Sequence, residues 1–165
     1  MATITFKGDP VETVGTLPAS GTPAPAFTLC GGDLSDVTLA SLAGKTVLLN
    51  IVPSLDTSVC VLSAKRFNQE AAARPDTVML TVSADLPFAQ GRVCGEEGIE
   101  SIQSVSSFRS TFGTDYQVAI AAGPLAGILS RAIVIIDANG VVTYSEQVPE
   151  IAQEPDYDAA LAALA

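Results

Sequence analysis

The stretch VLLNIVPSLDTSVC, residues 47–60, joins a short apolar run to the beginning of a helical pattern. Val47–Val52 is rich in Val, Leu and Ile and does not alternate with polar residues, which is typical of a strand buried on both faces. Residues 57–73 follow as a predicted helix that ends before Pro75. A second run of the same kind, Val78–Val82, completes a strand, helix, strand order. This order predicts a right-handed unit with two parallel strands.

Further strands are predicted on either side of this unit. Ala132–Ile136 is a third apolar run, and the turn residues 137–140 lead from it into Val141–Tyr144, which predicts an antiparallel pair. Near the N-terminus, Ile4–Phe6 and Val11–Val14 are separated by Gly8, Asp9 and Pro10, so we expect a β-hairpin with its turn at those three residues.

The remaining segments complete the predicted architecture. Leu17–Ala26 contains three prolines and is expected to be an extended connection into a strand at Phe27–Cys30. Leu86–Gly95 starts beside a proline and is interpreted as a short helix, and Tyr157–Ala165 as a helix that packs on the sheet. The sequence therefore predicts an α/β fold with a mixed central sheet flanked by helices, formed by one domain of residues 1–165.

Composition excludes several classes of function. The formal net charge is −10, which argues against nucleic acids and anionic membranes as partners, because both attract clustered Lys and Arg. The chain contains no His, so mechanisms that pair Ser or Cys with a His base are excluded. The sequence contains no run of about 18 apolar residues, so no membrane-spanning helix is predicted. The N-terminal residues lack the apolar core of a signal peptide, so we expect a cytoplasmic protein.

Three cysteines, Cys30, Cys60 and Cys94, carry the remaining reactive chemistry. An odd number in a reducing compartment does not predict a disulfide framework. Their wide separation in sequence does not resemble the paired spacings of zinc sites, so no metal and no cofactor are expected. Cys30 is expected to be a buried strand residue.

Cys60 has the position of a reactive thiol. Asp56 and Thr57 are both good helix N-cap residues, and if Thr57 caps the helix, Cys60 occupies its third position. Free backbone N–H groups and the helix dipole then favour the thiolate. Cys60 shares one helix face with Ala64 and Phe67, so the thiol should point towards the sheet, in a partly covered pocket. The alternative is that Cys60 is simply a small core residue, and spacing alone leaves both open.

Two motifs around the cysteines resemble those of the peroxiredoxins. The segment from Pro53 to Cys60 matches their active-site pattern of Pro, three residues, Thr, two residues, Cys, with Thr57 at the Thr position. The segment Ala84–Gly95, with Cys94 near its end, resembles the part that carries the resolving cysteine in the bacterial thiol peroxidase subfamily, the atypical two-cysteine peroxiredoxins.

The likeness extends over essentially the whole chain. Ser130–Asp137 resembles the strand that carries the active-site arginine of that family, and the segments Pro23–Leu29 and Glu154–Leu161 are also similar to it. Some relatives carry a further cysteine in the strand that corresponds to Val78–Ser83, where this chain has none. The resemblance implies a thioredoxin-like fold with an N-terminal β-hairpin.

The resemblance also implies a role for each matching residue. Cys60 would be the peroxidatic cysteine, which attacks a hydroperoxide and becomes a sulfenic acid. Thr57 would hold the thiolate and the peroxide by hydrogen bonds, and Pro53 would shield the thiol from water. Arg131 would stabilise the thiolate and the leaving oxygen; without the family match, it would be interpreted as a solvated charge at the end of a strand.

Cys94 would be the resolving cysteine that forms an intrachain disulfide with Cys60. The implied substrates are alkyl or lipid hydroperoxides and hydrogen peroxide, the implied reductant is a thioredoxin-type protein, and the implied assembly is a homodimer. Two alternatives stay open. A thiol–disulfide oxidoreductase would need a second cysteine at the position of Thr57, which makes it the weaker alternative. A redox sensor that stores the same disulfide without turnover is not excluded by the sequence.

Overall fold

The computed structural model describes residues 1–164, and its elements follow the predicted order. The strands are β1 (Thr3–Phe6), β2 (Asp9–Glu12), β3 (Thr28–Cys30), β4 (Asp36–Thr38), β5 (Thr46–Ile51), β6 (Thr77–Ser83), β7 (Gln103–Ser106), β8 (Ala132–Ile136) and β9 (Val142–Gln147). The helices are α1 (Ser58–Ala72), α2 (Pro87–Glu97), α3 (Phe112–Asp115) and α4 (Tyr157–Ala162), with a 3-10 turn at Ala40–Leu42.

Seven strands form one mixed sheet in the order β4-β3-β7-β6-β5-β8-β9. β5 and β6 are parallel neighbours, with Val47 opposite Val78, so the predicted strand, helix, strand unit is confirmed. β8 lies antiparallel to β5 on the other side, and β9 lies antiparallel to β8. The three apolar runs of the sequence are therefore the three adjacent central strands, where both faces of the sheet are covered.

The N-terminal hairpin is confirmed, but its turn was predicted at the wrong residues. Phe6 pairs with Asp9, so the turn consists of Lys7 and Gly8 alone, and Asp9 and Pro10 belong to β2. Both turn residues have positive φ, 53° for Lys7 and 87° for Gly8. This is the geometry of a two-residue hairpin turn, whose twist matches that of the strands.

Three elements were absent from the prediction. β7 is an inner strand of the sheet between β3 and β6, yet its sequence QSVS has a single apolar residue. β4 is a short strand at the sheet edge, and α3 is a single helical turn. β7 pairs with strands that lie far away in sequence, and β4 and α3 are too short, at three and four residues, to show a periodic pattern.

Helix boundaries agree with the prediction to within a few residues. α1 begins at Ser58, after Thr57 in the N-cap position, and ends shortly before Pro75. α2 runs past Gly95, and the residue that ends it is Gly98, which has a φ of 67°. α4 begins at Tyr157 as predicted, and the last residue of the predicted helix, Ala165, lies outside the described residues.

Each face of the sheet carries its own apolar cluster. One cluster packs β5, β6 and β8 against α3 and includes Leu49, Val82 and Tyr116. The other lies beneath α1, α2 and α4 and includes Leu48 and Phe67. No helix within residues 1–164 combines the length and apolar character that crossing a membrane requires.

Candidate active site

Cys60 occupies the third position of α1, as predicted, and its side chain is fully buried. Ala64 and Phe67, on the same helix face, are also fully buried against the sheet. The Ser63 hydroxyl donates a hydrogen bond of 3.0 Å to the Cys60 carbonyl oxygen within the helix. The sulfur is therefore enclosed more completely than the partly covered pocket that the sequence predicted.

Arg131 is the residue immediately before β8, and its side chain contacts the sulfur of Cys60. Its Nη2 donates to Cys60 Sγ at 3.3 Å, and the residue is only 2% exposed. Its Nε donates to the Ile151 carbonyl oxygen at 2.7 Å, which fixes the plane of the guanidinium. The interpretation of Arg131 as a solvated strand-end charge is therefore wrong.

The remaining guanidinium nitrogen of Arg131 is available to a ligand. Nη1 is buried and has no hydrogen-bond partner among the described residues. A buried donor without a partner carries an unfavourable desolvation free energy, unless a bound molecule accepts its hydrogen bond. The backbone of Arg131 is held firmly, because its carbonyl oxygen accepts from the Gln147 side chain at 2.9 Å and from Val148 N at 3.0 Å.

Thr57 lies at the start of α1, but its side chain does not cap the helix. Its hydroxyl donates to the Ser54 carbonyl oxygen at 3.0 Å, and no backbone N–H of the first turn donates to it. The predicted side-chain cap is therefore wrong. The first N–H groups of α1 lack that acceptor, so they stay available to stabilise negative charge at this end of the helix.

A groove of about 500 Å³ opens beside these residues. Pro53, Thr57 and Arg131 all line it, so the structure brings together the three residues predicted to surround the thiol. Pro53 is buried and Thr57 is exposed. The rest of the wall is mostly apolar and comes from four separate parts of the chain: Phe6, Lys7, Ser54, Ser58, Val59, Leu125, Ile128, Ile151 and Ala152.

The tip of the β1–β2 hairpin forms part of this wall. The sequence did not predict that contribution. Phe6 and Lys7 reach the groove because Glu150 holds the hairpin against the segment after β9. Its carboxylate accepts hydrogen bonds from the Thr5 hydroxyl at 2.6 Å and from Lys7 N at 2.9 Å. The Thr5 hydroxyl bond and the backbone N–H groups lower the pKa of Glu150 to about 2. Only long-range packing unites these segments, so no local motif could have indicated them.

Cys94 lies near the end of α2, on the face of the sheet that α1, α2 and α4 cover. Its Sγ is 3.2 Å from the hydroxyl of Ser104 in β7, and its side chain packs on the apolar cluster that contains Phe67. Cys60 and Cys94 are both free thiols and both lie within helices. A disulfide between two cysteines needs Cα atoms within about 7 Å and correctly directed side chains.

Cys30 is separate from this arrangement. It lies in β3, is fully buried, and its thiol donates to the neighbouring Gly31 carbonyl oxygen at 3.6 Å. The prediction of a buried strand residue is confirmed.

Comparison with known proteins identifies the family. The model of the Redoxin family matches residues 19–161. A thiol peroxidase of Mycobacterium tuberculosis is 60% identical over 99% of both chains, and one of Corynebacterium glutamicum is 46% identical over 99% of both chains. The crystal structure of a peroxiredoxin-like protein from Aquifex aeolicus superposes with a TM-score of 0.93 at 38% identity, covering 98% of this chain and 95% of the other.

These likenesses extend over nearly the full length of the chain. The thioredoxin-like fold predicted from the sequence is thereby confirmed. The chain belongs to the Redoxin family and, within it, to the thiol peroxidases, which are oxidoreductases of the peroxiredoxin type.

Proposed function

We propose that the protein reduces hydroperoxides with Cys60 as the nucleophile. The observation that carries the proposal is the buried contact of 3.3 Å between Arg131 Nη2 and Cys60 Sγ at the beginning of a helix. In a chain without His, a guanidinium and a helix N-terminus are the groups that can favour a thiolate at neutral pH. Both act on the same sulfur here.

The first step is a displacement on oxygen. The Cys60 thiolate attacks the terminal peroxide oxygen, an S–O bond forms, and the O–O bond breaks. The sulfur is oxidised to a sulfenic acid, and the other oxygen leaves as an alkoxide or hydroxide that takes up a proton to become an alcohol or water. Arg131 Nη1 is free to donate to the oxygen on which negative charge develops.

Thr57 and Pro53 complete the proposed site. The Thr57 hydroxyl donates its proton to Ser54, so its oxygen can still accept a hydrogen bond from the peroxide. Pro53 lacks an N–H and is a buried part of the groove wall, which it shares with Arg131, and we expect it to limit the access of water.

The shape and lining of the groove support a preference for alkyl or lipid hydroperoxides, with hydrogen peroxide as a smaller substrate. Phe6, Leu125, Ile128 and Ile151 provide apolar surface in the same groove as Arg131. An alkyl chain gains free energy from burial there, and hydrogen peroxide has no group to bury.

In the second step, the Cys94 thiol attacks the sulfenic acid, water leaves, and an intrachain Cys60–Cys94 disulfide forms. The start of α1 and part of α2 must separate from their neighbours for the two sulfurs to meet. A thioredoxin-type dithiol protein then reduces the disulfide by exchange and becomes oxidised in turn. A homodimer acting in the cytoplasm is part of the same proposal.

Steady-state peroxidase assays test this function. With a thioredoxin-type reductant, the protein should turn over both an alkyl hydroperoxide and hydrogen peroxide, and Cys60→Ser should be inactive, because no base here activates a serine hydroxyl. Turnover near the parent rate in Cys60→Ser would overturn the proposal. A disulfide that forms once without turnover would favour the redox sensor.

A further inference from the structure

One carboxylate joins the segment that precedes Cys60 to the segment that leads to Cys94. Asp85 lies between β6 and α2, and its side chain is half-buried. It accepts hydrogen bonds from the Ser54 hydroxyl at 2.8 Å and from Leu55 N at 2.7 Å. Both donors belong to the loop that leads into α1, while Asp85 itself belongs to the connection into α2.

The same carboxylate is tied to the sheet and to α2. The hydroxyl of Ser83, at the end of β6, donates to Asp85 Oδ2 at 2.7 Å. The side-chain amide of Gln90, in α2, donates to the Ser83 hydroxyl and to the Val105 carbonyl oxygen, each at 2.9 Å. Asp85 is therefore the centre of a network that holds the Cys60 loop, the sheet and the Cys94 helix together.

The interface around this network is polar. On the sheet face beneath α1, Asn50 contacts Ser63 and Thr81 by long hydrogen bonds of 3.3 and 3.5 Å. The side-chain amide oxygens of Asn50 and Gln90 are buried and have no hydrogen-bond partner among the described residues. Polar groups regain hydrogen bonds with water when a segment opens. The parts of α1 and α2 that border this network should therefore open at a lower free energy than the parts that pack on the apolar cluster.

We propose that Asp85 is a positioning residue that sets the rate of disulfide formation. While its hydrogen bonds hold, the Cys60 loop keeps the geometry that attacks the peroxide. They must break before Cys60 and Cys94 can meet. The inference rests on the proposed function, in which Cys94 resolves the sulfenic acid of Cys60.

Asp85→Asn keeps the shape of the side chain but removes the charge that strengthens its hydrogen bonds. In rapid-mixing experiments, the peroxide-independent step that forms the disulfide should become about tenfold faster, the factor expected for losing one charge-assisted hydrogen bond. The peroxide-dependent step should slow a few-fold because the loop is less ordered. In the reduced protein, hydrogen exchange should become faster at the amides of Val61 and Gln90, which close the first turns of α1 and α2.

Two further variants complete the test. Ser54→Ala removes only one of the Asp85 contacts, so it should accelerate disulfide formation in the same direction by about threefold, and it tests the idea even if Asp85→Asn fails to fold. Asp33→Asn is the control, because Asp33 accepts hydrogen bonds from Ser35 in the loop between β3 and β4 and contacts neither cysteine segment. It should leave both steps unchanged.

The outcomes separate this inference from the proposed function. Disulfide formation at the parent rate in both Asp85→Asn and Ser54→Ala would overturn the role of Asp85. Absence of a Cys60–Cys94 disulfide in the unmodified protein would instead overturn the proposed function itself.

Discussion

At the scale of the residue, the proposed chemistry depends most on Arg131. The chain has eight basic residues and no His, so few groups can stabilise a thiolate. The N-terminus of a helix contributes only about 0.3–1 kcal/mol, which is too little to ionise most of an ordinary thiol at neutral pH. A guanidinium that is 2% exposed and in contact with the sulfur acts through a much lower effective dielectric than a surface charge.

Replacing Arg131 with Met keeps much of the apolar stem and removes the charge and the donors. The rate of the peroxide step should fall by about 10²–10³, because the donor to the leaving oxygen is lost. Stopped-flow measurement of the peroxide step checks the prediction, and a rate equal to that of the parent protein would contradict the assigned role.

Cys30→Ser should have no effect on catalysis. Cys30 is fully buried in β3, so the substitution should lower the free energy of unfolding by about 1–2 kcal/mol, through placing a more polar group in a packed site. Chemical denaturation measures this cost, and stopped-flow kinetics should show both redox steps at parent rates. A loss of either step would mean that Cys30 takes part in the reaction.

At the scale of the element, the two cysteines belong to helices with different tasks. α1 carries Cys60, whose sulfur contacts Arg131, and α2 carries Cys94, whose sulfur contacts Ser104 in β7. Salt bridges join the two segments at the surface, from Lys65 to Glu97 and from Arg92 to Asp56, and such exposed pairs contribute little to stability. The contacts between the helices therefore leave room for local opening.

Cys94→Ser should separate the two chemical steps. The first oxidation of Cys60 should keep its parent rate, because Cys94 contacts Ser104 and the apolar cluster around Phe67, and does not line the groove with Arg131. Recycling by a dithiol protein should fail or slow, and sulfinic and sulfonic acids should accumulate on Cys60 at high peroxide. Mass spectrometry quantifies these products. If the single-turnover rate collapses as in Cys60→Ser, the division of roles between the two cysteines is wrong.

The free energy of unfolding should depend on pH through Glu150, which holds the hairpin in place. Its pKa falls from 4.5 to about 2 on folding, because a side-chain hydroxyl and backbone N–H groups donate to the carboxylate. This contribution to stability is complete above pH 4.5 and disappears as the pH falls towards 2. Glu150→Gln should therefore be less stable than the parent at pH 7, and the difference should shrink in acid. Thermal unfolding across this range checks the prediction, and parallel curves with a constant offset would contradict it.

At the scale of the whole molecule, the sequence predicted the sheet centre better than its edges. Val47–Val52, Val78–Val82 and Ala132–Ile136 are apolar on both faces, and burial of both faces is what forces that pattern. β7 was missed although it is an inner strand, because its Gln and Ser residues match no strand pattern and its place depends on β3 and β6. The hairpin turn was misplaced because Lys7, a residue that seldom adopts positive φ, occupies it.

The site was predicted in part. Pro53, Thr57 and Cys60 are close in sequence, and Arg131 was found through family resemblance; all four meet in the structure. The apolar wall from Phe6 and Ile151 was beyond prediction, since tertiary packing alone brings those segments together. The extent of the domain over residues 1–165, the homodimer, the cytoplasmic location and the absence of a metal or cofactor stay predictions.

The central claim is that Cys60 is oxidised first and that Cys94 resolves it within the same chain. The most direct measurement is peptide mapping by mass spectrometry after adding one equivalent of hydroperoxide to the reduced protein, with free thiols blocked at once. We expect one disulfide, between the peptides of Cys60 and Cys94, in a monomeric chain on a non-reducing gel, with Cys30 blocked as a free thiol. A disulfide that includes Cys30, or a sulfenic acid on Cys94 with Cys60 unmodified, would contradict it.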